Sequence, residues 1–160
     1  MLKALYSEIL VPEAVWRELT RPLVEAWEEL PGYIDSLLEA RRAGWLKVED
    51  VRGPEGLRLL EELRHLDPGE REAIALAVEK GVSVILTNDK LAHDEALSRG
   101  LEAKWFTQIL LDALKKGLLG SVDEYEQALK EAIRAGLWVS KEVIKKALEQ
   151  AKCVKKPYRP

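Results

Sequence analysis

One stretch of the sequence places acidic residues at both ends of a helix–strand unit. Asp67-Pro68-Gly69-Glu70 opens a predicted helix, and the chain then runs through residues 82–87 to Asp89. Aliphatic and β-branched residues dominate 82–87, which favours a parallel strand buried on both faces. In open α/β sheets, ligands bind just beyond the carboxyl ends of such strands. Asp89 therefore lies where a metal ion or a substrate would bind.

The composition indicates a single globular domain. The chain has 160 residues, of which 47% are hydrophobic and 33% are charged, enough to build a core. We expect no membrane contact, because no apolar run approaches the length of a membrane span and no signal peptide is visible. The single Cys153 excludes an internal disulfide, which fits a cytoplasmic protein. Asn occurs once and Gln three times, a bias common in heat-adapted proteins.

Predicted strands and helices alternate along the chain. The patterns predict strands at 8–11, 45–51, 82–87 and 103–107, and helices at 13–30, 33–43, 55–64, 91–98, 108–116, 122–135 and 140–151, besides the helix that begins near Asp67. This alternation predicts a three-layer α/β/α fold with a parallel sheet. We expect a core over residues 1–120 and a C-terminal helical extension over 121–160, packed on that core and ending in a basic tail.

Three motifs, in order, resemble those of PIN-domain proteins. They are Val-Pro-Glu-Ala-Val-Trp-Arg-Glu-Leu at 11–19, Leu-Asp-Pro-Gly-Glu-Arg-Glu-Ala-Ile-Ala-Leu-Ala at 66–77, and Val-Ile-Leu-Thr-Asn-Asp-Lys at 84–90. The resemblance covers residues 2–119 and is nearest to the branch whose third motif is Gly-Glu-x-Glu-Ala-Ile. PIN domains are typically metal-dependent ribonucleases, and many are VapC-type toxins paired with an antitoxin. The resemblance therefore implies RNA and an antitoxin protein as partners.

Residue by residue, the resemblance implies a carboxylate site for Mg²⁺ or Mn²⁺. Glu18 matches the acid of the early helix, Glu70 the acid that opens the central helix, and Asp89 the acid that ends the strand. Hard divalent cations prefer such oxygen ligands. Secondary candidates are Thr87 and Thr107, where the family often has small hydroxyl residues, Asn88, which replaces an acid, and Asp94, about one helical turn beyond Asp89.

The sequence departs from the family pattern at its beginning. Family members open with a central strand that ends in Asp, whereas residues 1–6 resemble the helix that follows that strand. By analogy, the missing strand would lie between residues 8–11 and 82–87. Three explanations stay open: a start codon assigned too late, a decayed nuclease with a remodelled sheet, or a second chain that fills the gap. A homodimer would be one form of the third explanation.

Each proposed ligand also has a purely structural interpretation. Asp67 and Glu70 have the spacing of a capping box, with Asp67 as the N-cap and Glu70 reaching back to it. Glu18 lies on an acid-rich helix, where a solvated face would explain it. Asp89 could cap the helix that begins at Lys90. Capping and metal binding do not exclude each other.

The end of the chain is basic although the net charge is −3. Seven basic residues and two acidic residues lie between Lys141 and Arg159. Lys145, Lys146, Lys155 and Lys156 could follow an RNA backbone, and the alternative is a solvated helix face. The resemblance to PIN domains implies a Mg²⁺- or Mn²⁺-dependent ribonuclease, and the rival hypothesis is a catalytically inactive PIN-like binding module.

Overall fold

A computed structural model describes residues 1–25 and 30–154 of the chain. In chain order its elements are α1 (Leu2–Tyr6), β1 (Ile9–Pro12), α2 (Glu13–Glu25), α3 (Tyr33–Arg42), β2 (Leu46–Glu49), α4 (Pro54–Glu62), α5 (Pro68–Lys80), β3 (Val84–Leu86), α6 (Lys90–Ser98), β4 (Glu102–Lys104), α7 (Phe106–Lys115), α8 (Val122–Arg134) and α9 (Lys141–Cys153). The predicted alternation of strands and helices is confirmed. The end of the predicted helix 13–30 includes residues 26–29, which lie outside the described residues.

One predicted strand is wrong at its carboxyl end. The strand expected at 103–107 ends at Lys104, and α7 already begins at Phe106. The backbone N–H of Trp105 donates to Oε1 of Gln108 at 2.9 Å, so the Gln side chain satisfies a donor just before the helix. Thr107 therefore lies in the first turn of a helix.

The chain divides into two compact units. The first spans Tyr6–Lys104 and contains all four strands, so we name it the α/β unit. The second combines Met1–Leu5 with the chain from Trp105 onward, and we name it the helical unit. Within residues 1–25 and 30–154, no helix has the length and apolarity that a membrane span requires.

In the α/β unit the strands form two parallel pairs. β1 pairs with β2 in a register that places Ile9 opposite Leu46, and β3 pairs with β4 with Val84 opposite Glu102. Among the described residues no ladder joins the two pairs, so the sheet consists of two halves. All pairing is parallel, as the apolar strand pattern predicted.

Helix α5 connects the two half-sheets. It packs against β1 and β3 and also against α2, α4 and α6. Its sequence specifies both ends: Pro68 suits the first helical position, and Gly81 terminates the helix with a φ of +65°. The core around it is aliphatic and consists of Leu59, Leu63, Leu66, Ile74, Ala75, Ala77, Ile85, Ala92, Ala96, Leu101 and Ala103.

Two acidic side chains of α5 accept hydrogen bonds from backbone N–H groups at or just before the starts of α2 and α4. Glu72 Oε2 accepts a hydrogen bond from the backbone N–H of Ala14, at the start of α2, at 2.9 Å. Glu79 Oε2 accepts from the backbone N–H groups of Arg52 at 3.0 Å and Gly53 at 2.7 Å, just before α4. Free N–H groups at helix starts need such acceptors. These contacts fix α2 and α4 on α5.

The helical unit contains a separate core. Tyr125 and Leu129 of α8 are buried with Leu110 and Leu114 of α7, while Ala147 and Ala151 complete the cluster from α9. The hydroxyl of Tyr125 donates to the backbone oxygen of Thr107 at 3.1 Å, which satisfies the polar end of a buried ring. Ser121 caps α8 and Ser140 caps α9, each by accepting a backbone N–H.

We expect Glu79→Ala to lower the free energy of unfolding by about 1–2 kcal/mol, because two N–H groups before α4 lose their acceptor. The matched control is Glu61→Ala, which removes only an exposed ion pair with Arg64 and should change stability by less than about 0.5 kcal/mol. Urea unfolding monitored by circular dichroism measures both. Equal effects of the two substitutions would contradict the capping role.

Candidate active site

Three elements bring the proposed ligands towards the N-terminus of α5. Glu18 lies in α2, Glu70 in the first turn of α5, and Asp89 directly before α6. The start of α2 is fixed near this end of α5 by the contact between Ala14 and Glu72. The chain reverses at Gly81, so β3 runs back beside α5. Asp89, which follows the carboxyl end of β3, therefore lies towards the N-terminus of α5. The order and direction of these elements therefore explain why Glu18, Glu70 and Asp89 all lie towards the same end of α5.

A close approach of α2 and α5 depends on Gly69. This glycine is buried, and a Cβ atom placed on it would lie 3.1 Å from Cγ2 of Val15 and 3.5 Å from Oε1 of Glu18. Because glycine carries no side chain, α2 can pass directly over the start of α5. The Glu18 carboxylate is thereby held beside the first turn of α5, where the helix dipole favours negative charge.

Asp89 is oriented by hydrogen bonds on both sides. Its Oδ1 accepts from the backbone N–H of Ala92 at 2.7 Å, so it caps α6 as the alternative interpretation predicted. Its own backbone N–H donates to Oγ1 of Thr87 at 3.1 Å. Thr87 therefore acts as a positioning residue for the turn that carries Asp89.

Glu70 is the group whose surroundings are least compatible with negative charge. Its Oε2 is buried and has no hydrogen-bond partner among the residues that the structure describes. Burial raises the pKa of Glu70 above its ordinary value, and the negative charges of Asp67, Asp89 and Glu18 raise it further, against a hydrogen bond from its own backbone N–H that lowers the pKa. The three acids named by the family motifs thus interact electrostatically.

Asp67 is a fourth acid, which the sequence analysis assigned to another role. Asp67 lies at the N-cap position and Pro68 in the first turn, as the alternative interpretation expected, but the Asp67 side chain accepts no hydrogen bond at the helix start. Its charge instead acts on Glu70. The spacing Asp-Pro-Gly-Glu was the available signal, since residues three apart at a helix start lie close together.

The secondary candidates lie in different surroundings. Asp94 forms an ion pair with Lys90, which lowers the pKa of Asp94, and it does not contribute to the shift at Glu70. Asn88 lies between Thr87 and Asp89 in the turn after β3. Thr107 belongs to the helical unit, where its backbone oxygen accepts the hydroxyl of Tyr125.

Of the basic candidates, Lys145 and Lys146 lie on α9, and both are exposed. Lys155 and Lys156 lie outside the described residues. The two described lysines therefore have side chains that solvent or a nucleic acid can reach.

The chemistry of the donor set suits a divalent cation. Carboxylate oxygens are the preferred ligands of Mg²⁺ and Mn²⁺, and a buried carboxylate oxygen without a partner is a group that a cation would satisfy. Within the described ranges, however, no three His, Cys, Asp or Glu side chains are grouped closely enough to hold a metal ion. Chelation of one ion by Glu18, Glu70 and Asp89 therefore requires their side chains to rotate towards a common point.

We expect Glu70→Gln to raise the melting temperature at pH 7 in a chelating buffer. Because the pKa of Glu70 is raised by folding, the native state binds a proton more readily than the unfolded state, and stability falls as pH rises through the folded pKa. The amide removes this cost. The gain should shrink as the pH is lowered through the folded pKa towards about 4.3, the ordinary value for Glu.

The control for this stability effect is Glu55→Gln, which neutralises an exposed acid in the first turn of α4. It should not raise the melting temperature at pH 7, because the acid it removes is solvated and favoured by the helix dipole. A lower melting temperature for Glu70→Gln than for the unmodified chain at pH 7 would contradict the electrostatic account.

Comparison with known protein families supports the resemblance seen in the motifs. A family model described as a PIN domain matches residues 1–153. No curated protein and no solved structure matches the chain. The family match spans nearly the whole sequence, and the fold of short parallel strands among many helices agrees with it. The chain therefore belongs to the PIN domain family.

Proposed function

We propose that this chain is a Mg²⁺- or Mn²⁺-dependent endoribonuclease that acts in the cytoplasm. The observation that carries the proposal is the buried Oε2 of Glu70, which has no hydrogen-bond partner in the described part of the chain and is affected by the charges of Asp67, Asp89 and Glu18. Burial and the neighbouring negative charges make the ionised form of Glu70 less favourable, and a bound cation would compensate for that cost. Membership of the PIN domain family supports a nuclease role.

The residues of the proposed site have different roles. Glu18, Glu70 and Asp89 would hold the cation, and Thr87 would fix the turn that presents Asp89. Asp67 adds negative charge and so strengthens the attraction for a cation. A bound Mg²⁺ or Mn²⁺ would supply an activated water and a positive charge for the phosphate group under attack.

A non-catalytic binding module is the second candidate. One observation favours it: no three acids in the described residues are grouped closely enough to hold a metal ion. A toxin role within a toxin–antitoxin pair, with an antitoxin protein as partner, is supported by PIN family membership alone. The nuclease and the binding module have the same fold. They differ in whether a cation binds tightly enough to support catalysis.

We expect Asp89→Asn to lower Mn²⁺-dependent cleavage of a fluorescent RNA by at least about 100-fold, because a lost ligand costs several kcal/mol of transition-state stabilisation. Asn can still cap α6, so the fold should persist. Glu18→Gln should act similarly.

The matched control for the cleavage assay is Asp50→Asn, which removes only an exposed ion pair with Arg52. Its cleavage rate should stay within about twofold of the unmodified chain. If the Asp89 variant cleaves RNA as fast as this control, the proposed ligand set is wrong. If the unmodified chain binds no Mn²⁺ and cleaves no RNA, the binding-module alternative replaces the nuclease.

We expect the double substitution Lys145→Gln and Lys146→Gln to flatten the salt dependence of RNA binding. Each lost phosphate contact should reduce the slope of log K against log salt by about 0.7 for a single strand, so two contacts give about 1.4. The control is Lys47→Gln with Lys130→Gln, which removes two exposed lysines that form ion pairs with Glu8 and Glu126 and should leave the slope unchanged. An unchanged slope would exclude Lys145 and Lys146 from the RNA interface.

A further inference from the structure

The turn between α8 and α9 presents a tryptophan ring to solvent. Trp138 is 86% exposed, although tryptophan side chains are on average largely buried in folded proteins. The residues on both sides of it are fixed. Leu137 packs on the core of the helical unit, and Ser140 caps α9 by accepting the backbone N–H of Val143 at 3.3 Å. The ring therefore projects from a segment whose backbone is anchored at both ends.

Four exposed cationic side chains lie on the two helices that meet at this turn. Arg134 ends α8, and Lys141, Lys145 and Lys152 lie along α9. At about 100° per residue, the three lysines fall within about 40° of one another, so they form one row along the helix. The row begins three residues after Trp138 and extends over about 16 Å. We name these four cationic residues the basic face.

The lysine row lies on the side of α9 that is next to α8. The hydrogen bond and the charge of Lys130 lower the pKa of Glu126 on α8, and the charge of Lys152 lowers it further, so Lys152 lies near Glu126. Arg134 follows Lys130 by about one helical turn on the same side of α8. Lys130 itself forms an ion pair with Glu126 at 2.6 Å, so its charge is compensated within the chain. Arg134 and the lysine row therefore lie on one side of the helix pair.

Positive charge is concentrated in the part of the chain that carries the basic face. From Trp105 onward the sequence contains 11 basic and 7 acidic residues, whereas residues 1–104 contain 14 basic and 21 acidic residues. The acids Glu142 and Glu149 also lie on α9, about 60–80° round the helix from the middle of the lysine row. This distribution favours a polyanion as the ligand of the basic face.

We propose that Trp138 and the basic face bind single-stranded RNA, with one base stacked on the Trp138 ring and backbone phosphates along the lysine row. Exposed aromatic rings accept unpaired bases because every base has a π-face, and neighbouring cations follow the phosphates. The choice of RNA as the ligand rests on the proposed function. The exposed ring and the arrangement of charge carry the site itself.

An apolar protein surface is the alternative occupant of this turn. Ile133 and Val143, which are close to Trp138 in the sequence, are 36% and 44% exposed. A protein partner that covered these side chains would also have to pair the cations of the basic face, because burying an unpaired charge is costly. RNA supplies phosphates for these cations and a base for the ring, so RNA fits the surface better.

The test measures the affinity of the full chain for a fluorescent single-stranded RNA of about 12 nucleotides, in a chelating buffer that prevents cation-dependent cleavage. We expect Trp138→Ala to weaken binding about tenfold, because one stacked base is lost, and Trp138→Phe to bind within about threefold of the unmodified chain. The control is Tyr33→Ala, which removes a 48% exposed ring at the start of α3 and should leave the affinity unchanged.

The salt dependence of binding separates stacking from phosphate contacts. Trp138→Ala should leave the slope of log K against log salt unchanged, because stacking releases no counterions. Lys141→Gln with Lys152→Gln should reduce the slope by about 1.4, since two phosphate contacts are lost. A general disturbance of the structure would not divide the effects in this way, and circular dichroism checks that the variants fold.

A measurement on the unmodified chain tests the ring directly. During titration with the RNA, the NMR signal of the Trp138 indole N–H should shift more than the signals of the other four tryptophans. An unshifted Trp138 signal at saturation, or equal affinity of the unmodified chain and Trp138→Ala, would overturn the proposal. Self-association of the chain that is lost in Trp138→Ala, measured by sedimentation, would assign the ring to an interface between copies and would overturn it too.

The result is distinguishable from that of the cleavage assay, because the binding measurement contains no cation. A chain that binds RNA through Trp138 but does not cleave it in Mn²⁺ would overturn the proposed function and support this inference. Cleavage in Mn²⁺ together with unchanged RNA binding by Trp138→Ala would support the proposed function and overturn this inference.

Discussion

The packing of α5 against two separate half-sheets is the constraint on which the α/β unit depends. No ladder joins β1 and β2 to β3 and β4 among the described residues, so their relative position rests on the helix that contacts both. Ala73, Leu76 and Ala77 face the space between the strands, while Glu72 and Glu79 fix the starts of α2 and α4. One helix therefore sets the positions of the acids and of the two half-sheets.

The same arrangement explains why the acids are held together despite their repulsion. Gly69 lets α2 pass close to α5, and the turn at Gly81 returns β3 towards the start of the helix. The apolar core stabilises these positions, and the electrostatic cost appears at Glu70, whose pKa is raised. Negative charge concentrated where solvent is partly excluded favours a cation, and this is the electrostatic basis of the proposed function.

The positions of helices and strands, which depend on local patterns, could be predicted from the sequence. The side-chain contacts, which depend on tertiary packing, could not. The helix that begins at Pro68 and the strand before Thr87 follow from turn residues and hydrophobic runs. Asp67 and Pro68 occupy the N-cap position and the first turn, as their residue types indicate, but the Asp67 side chain makes no capping hydrogen bond. The extension of the last strand through Thr107 was wrong because a glutamine three residues after Trp105 favours a helix start there. The spacing of Asp67 and Glu70 indicates that these two acids lie close together, but the approach of Glu18 and Asp89 depends on how α2 and β3 pack on α5, which spacing does not show.

A calorimetric titration of the chain with Mn²⁺ at neutral pH tests the central claim most directly, because the claim is that the acids at the start of α5 form one cation site. The account predicts binding of one Mn²⁺ per chain, abolished by Asp89→Asn. Absence of binding to the unmodified chain, or binding that persists unchanged in the variant, would contradict it.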